Sequence, residues 1–517
     1  LINFLLADSY FDAQNYNQAL KEYEKTAYQY SNHSKSAEAG YAALITYDKV
    51  INNAEENLKP LLKQQSIQSA IRFSNLFPDD KHAPAVITKT AEELFSQNNF
   101  IQSAEFARRI ISRKDIQDRA LQKTAWIVLA HSQFELRNYK DSEISYTESL
   151  KYTSKKDKLY TELSDRLAAS IYKQGEQQRN AGQYNLAAFN FLRIAKVVPA
   201  STIRITAEYD AATMYIKVKD WNNAGKILED FRKRYPKNNK YSQGVSEKLA
   251  LIYTDSGQFN KAAKEIALLA SVSSNKSDQQ KLTWQAAEMY TKAGQKKQAN
   301  AMYEQYIFKY PKPFSQYMEA HSLVSKYYKD TKQLKSWKKW LNATVTAEKQ
   351  GGSNRTDRTN LIAANAVLHL TRPLTQKYTK ARLTIPLKKS LARKKALMER
   401  SLKSYAKVMS YGIAEITTEA TYQIAEIYHH FATALMESQR PRGLSADELE
   451  QYDILIEEQA YPFEEKSIDI HNSNTRRTKD GFYDQWIKKS LDILAKFEPV
   501  RYLKKEKTQS YVLLSNE

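Results

Sequence analysis

Three groups of side chains have the types and spacing that chemistry requires. Glu426, His429 and His430 place a carboxylate and two imidazoles three and four residues apart on an apolar-periodic, helix-like stretch. A metallopeptidase pair needs two histidines at i and i+4 on one face with a glutamate beside the first. Adjacent histidines point about 100° apart on a helix, so the spacing predicts surface or partly packed imidazoles and no metal. His131, His369 and His471 stand alone in the sequence and read as packed side chains. Glu457-Glu458 and Glu464-Glu465 would lie some 10 Å apart along an uninterrupted helix. Pro462 falls between them and is expected to interrupt it. The reading is an acidic surface, with an acid/base site around Tyr461 to Glu465 as the rival.

No glycine-rich phosphate loop, Gly-x-Ser-x-Gly elbow or calcium loop occurs, and the chain has no cysteine, which removes thiol catalysis and thiolate zinc sites. Neither a cofactor nor a catalytic residue is expected. The 517 residues carry 79 Lys and Arg against 58 Asp and Glu, a balance of +21 that favours anionic partners without choosing among them. No apolar run approaches the roughly 18 residues that span a bilayer. The chain opens without Met inside a helix-like stretch, so a signal or lipid anchor is expected upstream of Leu1.

The elements that would position these groups follow a fixed spacing. From Ala212, Tyr215 lies three residues on, Ala224 twelve, Leu228 sixteen, Phe231 nineteen and Pro236 twenty-four. Ala287 repeats the offsets with Tyr290, Ala299, Tyr303, Tyr306 and Pro311, and Gly175 with Gln178, Ala187, Phe191, Ile194 and Pro199. Weaker copies start at Ala7, Ala91, Ala130 and Ala250, and degenerate ones at Ala43 and Val324 (Tyr327, Ser336, Trp340). Small residues at the origin and twelve on let two helices approach closely, and proline ends the second. Self-similarity at 37 or 38 residues marks stacked repeats.

With Trp126, Leu129 and Ala130 at the start of a first helix, and Asn138-Tyr139, Asp220-Trp221 or Gly257-Gln258-Phe259 at its turn, the pattern resembles the tetratricopeptide repeat family. That implies an all-α, TPR-like α-solenoid, a superhelix of antiparallel helix hairpins. Residues 1–345 would hold about eight or nine hairpins. Residues 346–395 read as linker, helix and basic insertion, and 396–517 as a degenerate helical module with an acidic segment. In the family the groove is lined by first-helix positions flanking the small residue. Carried over, these are His131, Phe134, Tyr172, Glu176, Arg179, Tyr209, Thr213, Lys217, Trp284, Glu288 and Lys292. They either receive an extended peptide or partner helix or cover neighbouring hairpins.

Two charged segments complete the reading. Residues 372–407 hold twelve Lys or Arg against Glu399 alone, and Lys388, Lys389, Arg393, Lys394 and Lys395 form their densest patch. This patch is either a solvated face or a contact for acidic lipid head groups or for the acidic stretch 444–469. Ser445 with Glu448 is a capping box that starts a helix, and a last helix runs from about Asp484 to Phe497.

Arg440-Pro441-Arg442-Gly443-Leu444, Leu449-Glu450-Gln451-Tyr452, Glu457 to Lys466, Asn474 to Arg477, Gly481 to Trp486 and Pro499-Val500-Arg501-Tyr502 together resemble the C-terminal module of a gammaproteobacterial envelope TPR family. Its members are associated with TonB/Tol-type proton-driven motors or gliding machinery. The resemblance implies a periplasmic or outer-membrane-associated, non-enzymatic scaffold docking protein partners of such a complex. The alternative is a nucleic-acid or ribonucleoprotein-binding adaptor, motivated by the charge and 35 tyrosines. Tyrosines committed to repeat packing argue against it.

Overall fold

A computed structural model describes residues 1–30, 33–236 and 239–503. The chain divides into two compact units, residues 1–256 and 257–517. The first unit holds α1 (Ile2–Asp12), α2 (Tyr16–Tyr28), α3 (Ser36–Asn53), α4 (Lys59–Leu76), α5 (Ala83–Ser96), α6 (Phe100–Ser112), α7 (Arg119–Glu135), α8 (Tyr139–Lys151), α9 (Lys158–Asn180), α10 (Tyr184–Val197), α11 (Ile203–Lys217), α12 (Trp221–Arg234) and α13 (Asn239–Asp255). The second holds α14 (Phe259–Val272), α15 (Lys276–Lys292), α16 (Lys296–Lys309), α17 (Phe314–Asp330), α18 (Leu334–Lys349), α19 (Asp357–Thr379), α20 (Leu387–Met409), α21 (Ala414–Met436), α22 (Ala446–Thr475), α23 (Gln485–Phe497) and α24 (Pro499–Tyr502). Among the described residues there is no strand. Within each unit, helices pack on their neighbours in chain order, the arrangement of an α-solenoid.

Each repeated position has a physical reason. A Cβ built on Gly175 would fall 2.6 Å from Phe191 Cε1, so the ring sixteen residues on occupies the space a side chain would need. Where serine replaces alanine twelve residues on, its hydroxyl bonds back to the origin. Ser103 Oγ donates to the Ala91 carbonyl at 2.8 Å and Ser142 Oγ to that of Ala130 at 3.0 Å. Seven residues after Ala7, Ala91, Ala130, Gly175, Ala212, Ala250 and Ala287 the backbone turns left-handed, at Gln14, Asn98, Arg137, Gly182, Lys219, Gly257 and Gly294, all with φ between 59° and 75°. Val198, Tyr235 and Tyr310, each before a proline, close α10, α12 and α16 with φ of −134°, −122° and −132°, as the proline ring demands of its predecessor.

The same turn corrects one register. Lys332 is the left-handed residue of its hairpin, which puts the origin at Ser325 rather than Val324. Tyr328 then takes the place of Tyr290, and Leu341 and Thr344 become the buried positions sixteen and nineteen on.

Residues 346–395, expected as linker, helix and basic insertion, hold α19 and the start of α20. Gly351 is buried against Phe314 and leads into a short 3-10 turn, Gly352–Asn354. The basic run fills the end of α19 and almost all of α20, so it is not inserted between hairpins. α18 to α22 share one core, centred on Tyr378, Tyr405, Ile427 and Phe431. Pro462 does not break α22, which runs unbroken for 30 residues from its Ser445–Glu448 capping box.

Candidate docking surfaces

The eleven nominated groove residues are divided between the two units, and most are occupied with packing. His131 Nδ1 lies 2.6 Å from the Tyr146 hydroxyl, and burial, with Arg166 nearby, pushes the imidazole down to about 4. Phe134 meets Tyr139 edge-on at 5.2 Å. Tyr172 rests on Phe191 and donates to Asp210 Oδ2 at 2.6 Å, tying α9 to α11. Glu176 pairs with Lys173 and Arg179 on its own helix. Tyr209 sits 4.8 Å from Tyr241 with the Lys248 ammonium 5.1 Å from its ring, and the Thr213 hydroxyl donates back to the Tyr209 carbonyl. In the second unit Trp284 stands edge-on to Tyr303 and Tyr306 and donates to Glu288 at 2.8 Å. Lys217 and Lys292 remain exposed, Lys292 5.7 Å from the Phe259 ring centre.

A tie between hairpins was missed in the sequence. A tyrosine near the start of one repeat donates to a glutamate seventeen residues past the preceding origin. Tyr253 donates to Glu229 at 2.5 Å, Tyr328 to Glu304 at 2.7 Å and Tyr47 to Glu24 at 3.1 Å. The offsets were legible once the register was fixed, but a carboxylate on a helix surface carries no signal of its own.

The basic patch splits. Lys388, Lys389, Arg393 and Lys395 are exposed on α20. Lys394 is not part of that surface. It is fully buried, its ammonium donating to the Ala381 carbonyl at 2.7 Å and lying 4.7 Å from the Tyr378 ring centre. Position 394 falls on the apolar face that carries Met398, Ser401 and Tyr405. Burial lowers this lysine to about 8. The ammonium meets the carbonyl end of α19, where a positive charge is favoured.

The histidines gather around a cleft of about 570 Å³ lined by Thr375, Tyr422, Glu426, His429, His430, Trp486 and Lys489. Behind it, His471 is fully buried, Nδ1 3.1 Å from Ser490 Oγ and Nε2 3.4 Å from Glu426 Oε1. A serine, an imidazole and a carboxylate in line have the order of a nucleophilic triad. Ser490 is wholly buried, however, and its hydroxyl accepts from Asn474, which also donates to the Thr418 carbonyl. The group clasps α21, α22 and α23 together and offers no nucleophile to solvent. No cluster of three metal-ligating side chains occurs among the described residues. Tyr461 and Glu465 stand on the outer side of α22, while Phe463 turns inward onto Phe431 at 4.6 Å.

The fold and these surfaces define a helical-repeat protein. The sequence profile of a family described as tetratricopeptide repeat matches residues 206–238 and 283–313, the repeats with origins Ala212 and Ala287, so the chain carries tetratricopeptide repeats there. No curated protein matches the chain. Among solved structures, a tetratricopeptide repeat protein from Parabacteroides merdae is 13% identical, with 54% of this chain and 97% of that one covered and a TM-score of 0.23. The apo form of RapI is 10% identical, covering 68% and 98%, with a TM-score of 0.27. Naa15/Naa10 bound to HypK-THB is 13% identical, covering 97% and 79%, with a TM-score of 0.29. Scores this low carry no argument. The class rests on the matched repeats and on the hairpin geometry.

Proposed function

We propose that this protein is a non-enzymatic interaction scaffold of a bacterial cell envelope, docking protein components of a proton-driven TonB/Tol-like or motility complex. The observation that carries the scaffold reading is the pair of matched tetratricopeptide repeats set in a longer array of the same hairpins. Such arrays generally serve as non-catalytic interaction surfaces. The envelope setting, periplasmic or outer-membrane-associated, rests on the resemblance of the non-repeating string between about residues 396 and 505. Acidic lipid head groups are a further contact that the exposed bases of α20 would suit.

Capture of the full-length protein from gently solubilised membranes tests the proposal. Inner-membrane motor subunits or their envelope partners are the expected result. Recovery of cytosolic or ribosomal proteins alone would contradict it. Salt-sensitive RNA binding that collapses when Lys388, Lys389, Arg393 and Lys395 are neutralised would redirect the assignment to a nucleic-acid adaptor.

A further inference from the structure

Helix α20 presents a one-sided basic face. Lys388, Lys389, Arg393, Lys395, Arg400 and Lys403 are all exposed. At 3.6 residues per turn they fall within an arc of about 160° and a length of about 22 Å. Only Glu399 interrupts them. Ala392 and Ala396, both exposed, lie one turn apart in the middle of the arc and leave a shallow trough between the flanking charges. None of the six bases has an ion-pair partner among the described residues; the pairs of this region belong to Arg372, Arg440 and His471.

Helix α22 is its counterpart. Glu450, Glu457, Glu458, Glu465 and Asp469 are exposed and likewise unpaired among the described residues. They span an arc of about 120° and a length of about 28 Å. In the middle of that arc stand Ile454 and Tyr461, 51% and 63% exposed and two turns apart. An apolar ridge flanked by acids thus matches an alanine trough flanked by bases in sign, length and relief. α20 packs on α19 and α21, and α22 on α21 and α23, so α21 takes the buried faces of both. Among the described residues no ion pair joins the two charged faces.

We propose that the basic face of α20 is a docking site for the acidic face of α22 of a second copy of this chain. Each copy then offers one face of each kind. The association is heterologous, producing a ring if the rotation closes and a filament if it does not. A scaffold that also polymerises would array its partners at a fixed spacing. The inference stands independently of which partners those are.

The full chain tests this by light scattering after gel filtration. At low salt the mass should rise with protein concentration. In about 1 M salt, where charges are screened beyond about 3 Å, it should fall to that of a monomer. Reversal of the α20 face (Lys389→Glu, Arg393→Glu, Arg400→Glu) should abolish self-association, as should reversal of the α22 face (Glu457→Lys, Glu458→Lys, Glu465→Lys). Circular dichroism checks that both variants stay folded. Mixed together, the two should pair again, because one now carries an acidic α20 and the other a basic α22. A monomer at every concentration in low salt would overturn the proposal, as would assembly that survives either reversal. So would a monomer whose α20 bases instead bind vesicles rich in anionic lipid, or RNA.

Discussion

The repeats between Gly175 and Trp340 and the helices from α19 to α23 are built from similar residues but solve packing differently. In the repeats the fit is local. A small residue faces a ring sixteen positions on, as at Gly175 and Phe191, and the motif is copied along the chain. Helices α19 to α22 run for 23 or 30 residues and share one core in which no spacing recurs. Charge follows the same division. In the repeats several ionised groups tie helices together in pairs, such as Arg193 with Glu143, or Arg204 and Arg234 with the buried Glu208. The exposed bases of α20 and the exposed acids Glu450, Glu457, Glu458, Glu465 and Asp469 of α22 are sorted by sign onto separate faces, with no ion-pair partner among the described residues.

Substitution in a size-matched pair should give the largest effect. Phe191→Ala is expected to cost about 3–5 kcal/mol in chemical denaturation, the usual loss for a fully buried ring. Gly175→Ala alone should cost about 1–3 kcal/mol, because its methyl would strike the ring. Added to Phe191→Ala, it should cost nothing more, since the methyl enters vacated space. Additive costs would break the claim of local fit.

The second effect belongs to the other region. Lys394 titrates at about 8 when folded and at its ordinary 10.5 when unfolded. Between these values the unfolded chain holds a proton the folded chain has lost, so stability rises with pH across that window, by about 3 kcal/mol in total. Lys394→Met should remove the rise, measured as the difference between the two proteins' denaturation midpoints from pH 8 to 10.5. An unchanged slope would mean that the ammonium is not buried on the α19 carbonyls.

The smallest effect is a gain. Lys219 occupies with φ 59° the turn position that glycine fills at 182, 257 and 294. Lys219→Gly should therefore stabilise by roughly 1 kcal/mol, the cost of a left-handed backbone for a residue with a side chain. A loss of stability would show that the turn is not interchangeable between repeats.

Much of this was legible in the sequence. The small-residue offsets located nearly every hairpin, and the dipeptides Asn138-Tyr139 and Asp220-Trp221 marked where second helices begin. What stayed hidden depended on helical phase, backbone turns and contacts far apart in the chain. Lys394 lay in a run of bases, and only the helical phase of Met398 and Tyr405 shows that it faces inward. Pro462 signalled a break, but the capping box and the core beneath Phe463 carry α22 through it. Val324 was off by one because the residue types at that repeat are degenerate, whereas the left-handed turn at Lys332 is a backbone property. His471 looked solitary, since Ser490 and Glu426 reach it from 19 and 45 residues away.

The central claim is that this chain works by docking proteins in a bacterial envelope. Cross-linking in intact cells, followed by capture of the full-length protein from membranes and identification of what is covalently attached, tests it most directly. The account predicts subunits of a proton-driven motor or their envelope partners. Attachment to ribosomal or other cytosolic components alone would contradict it.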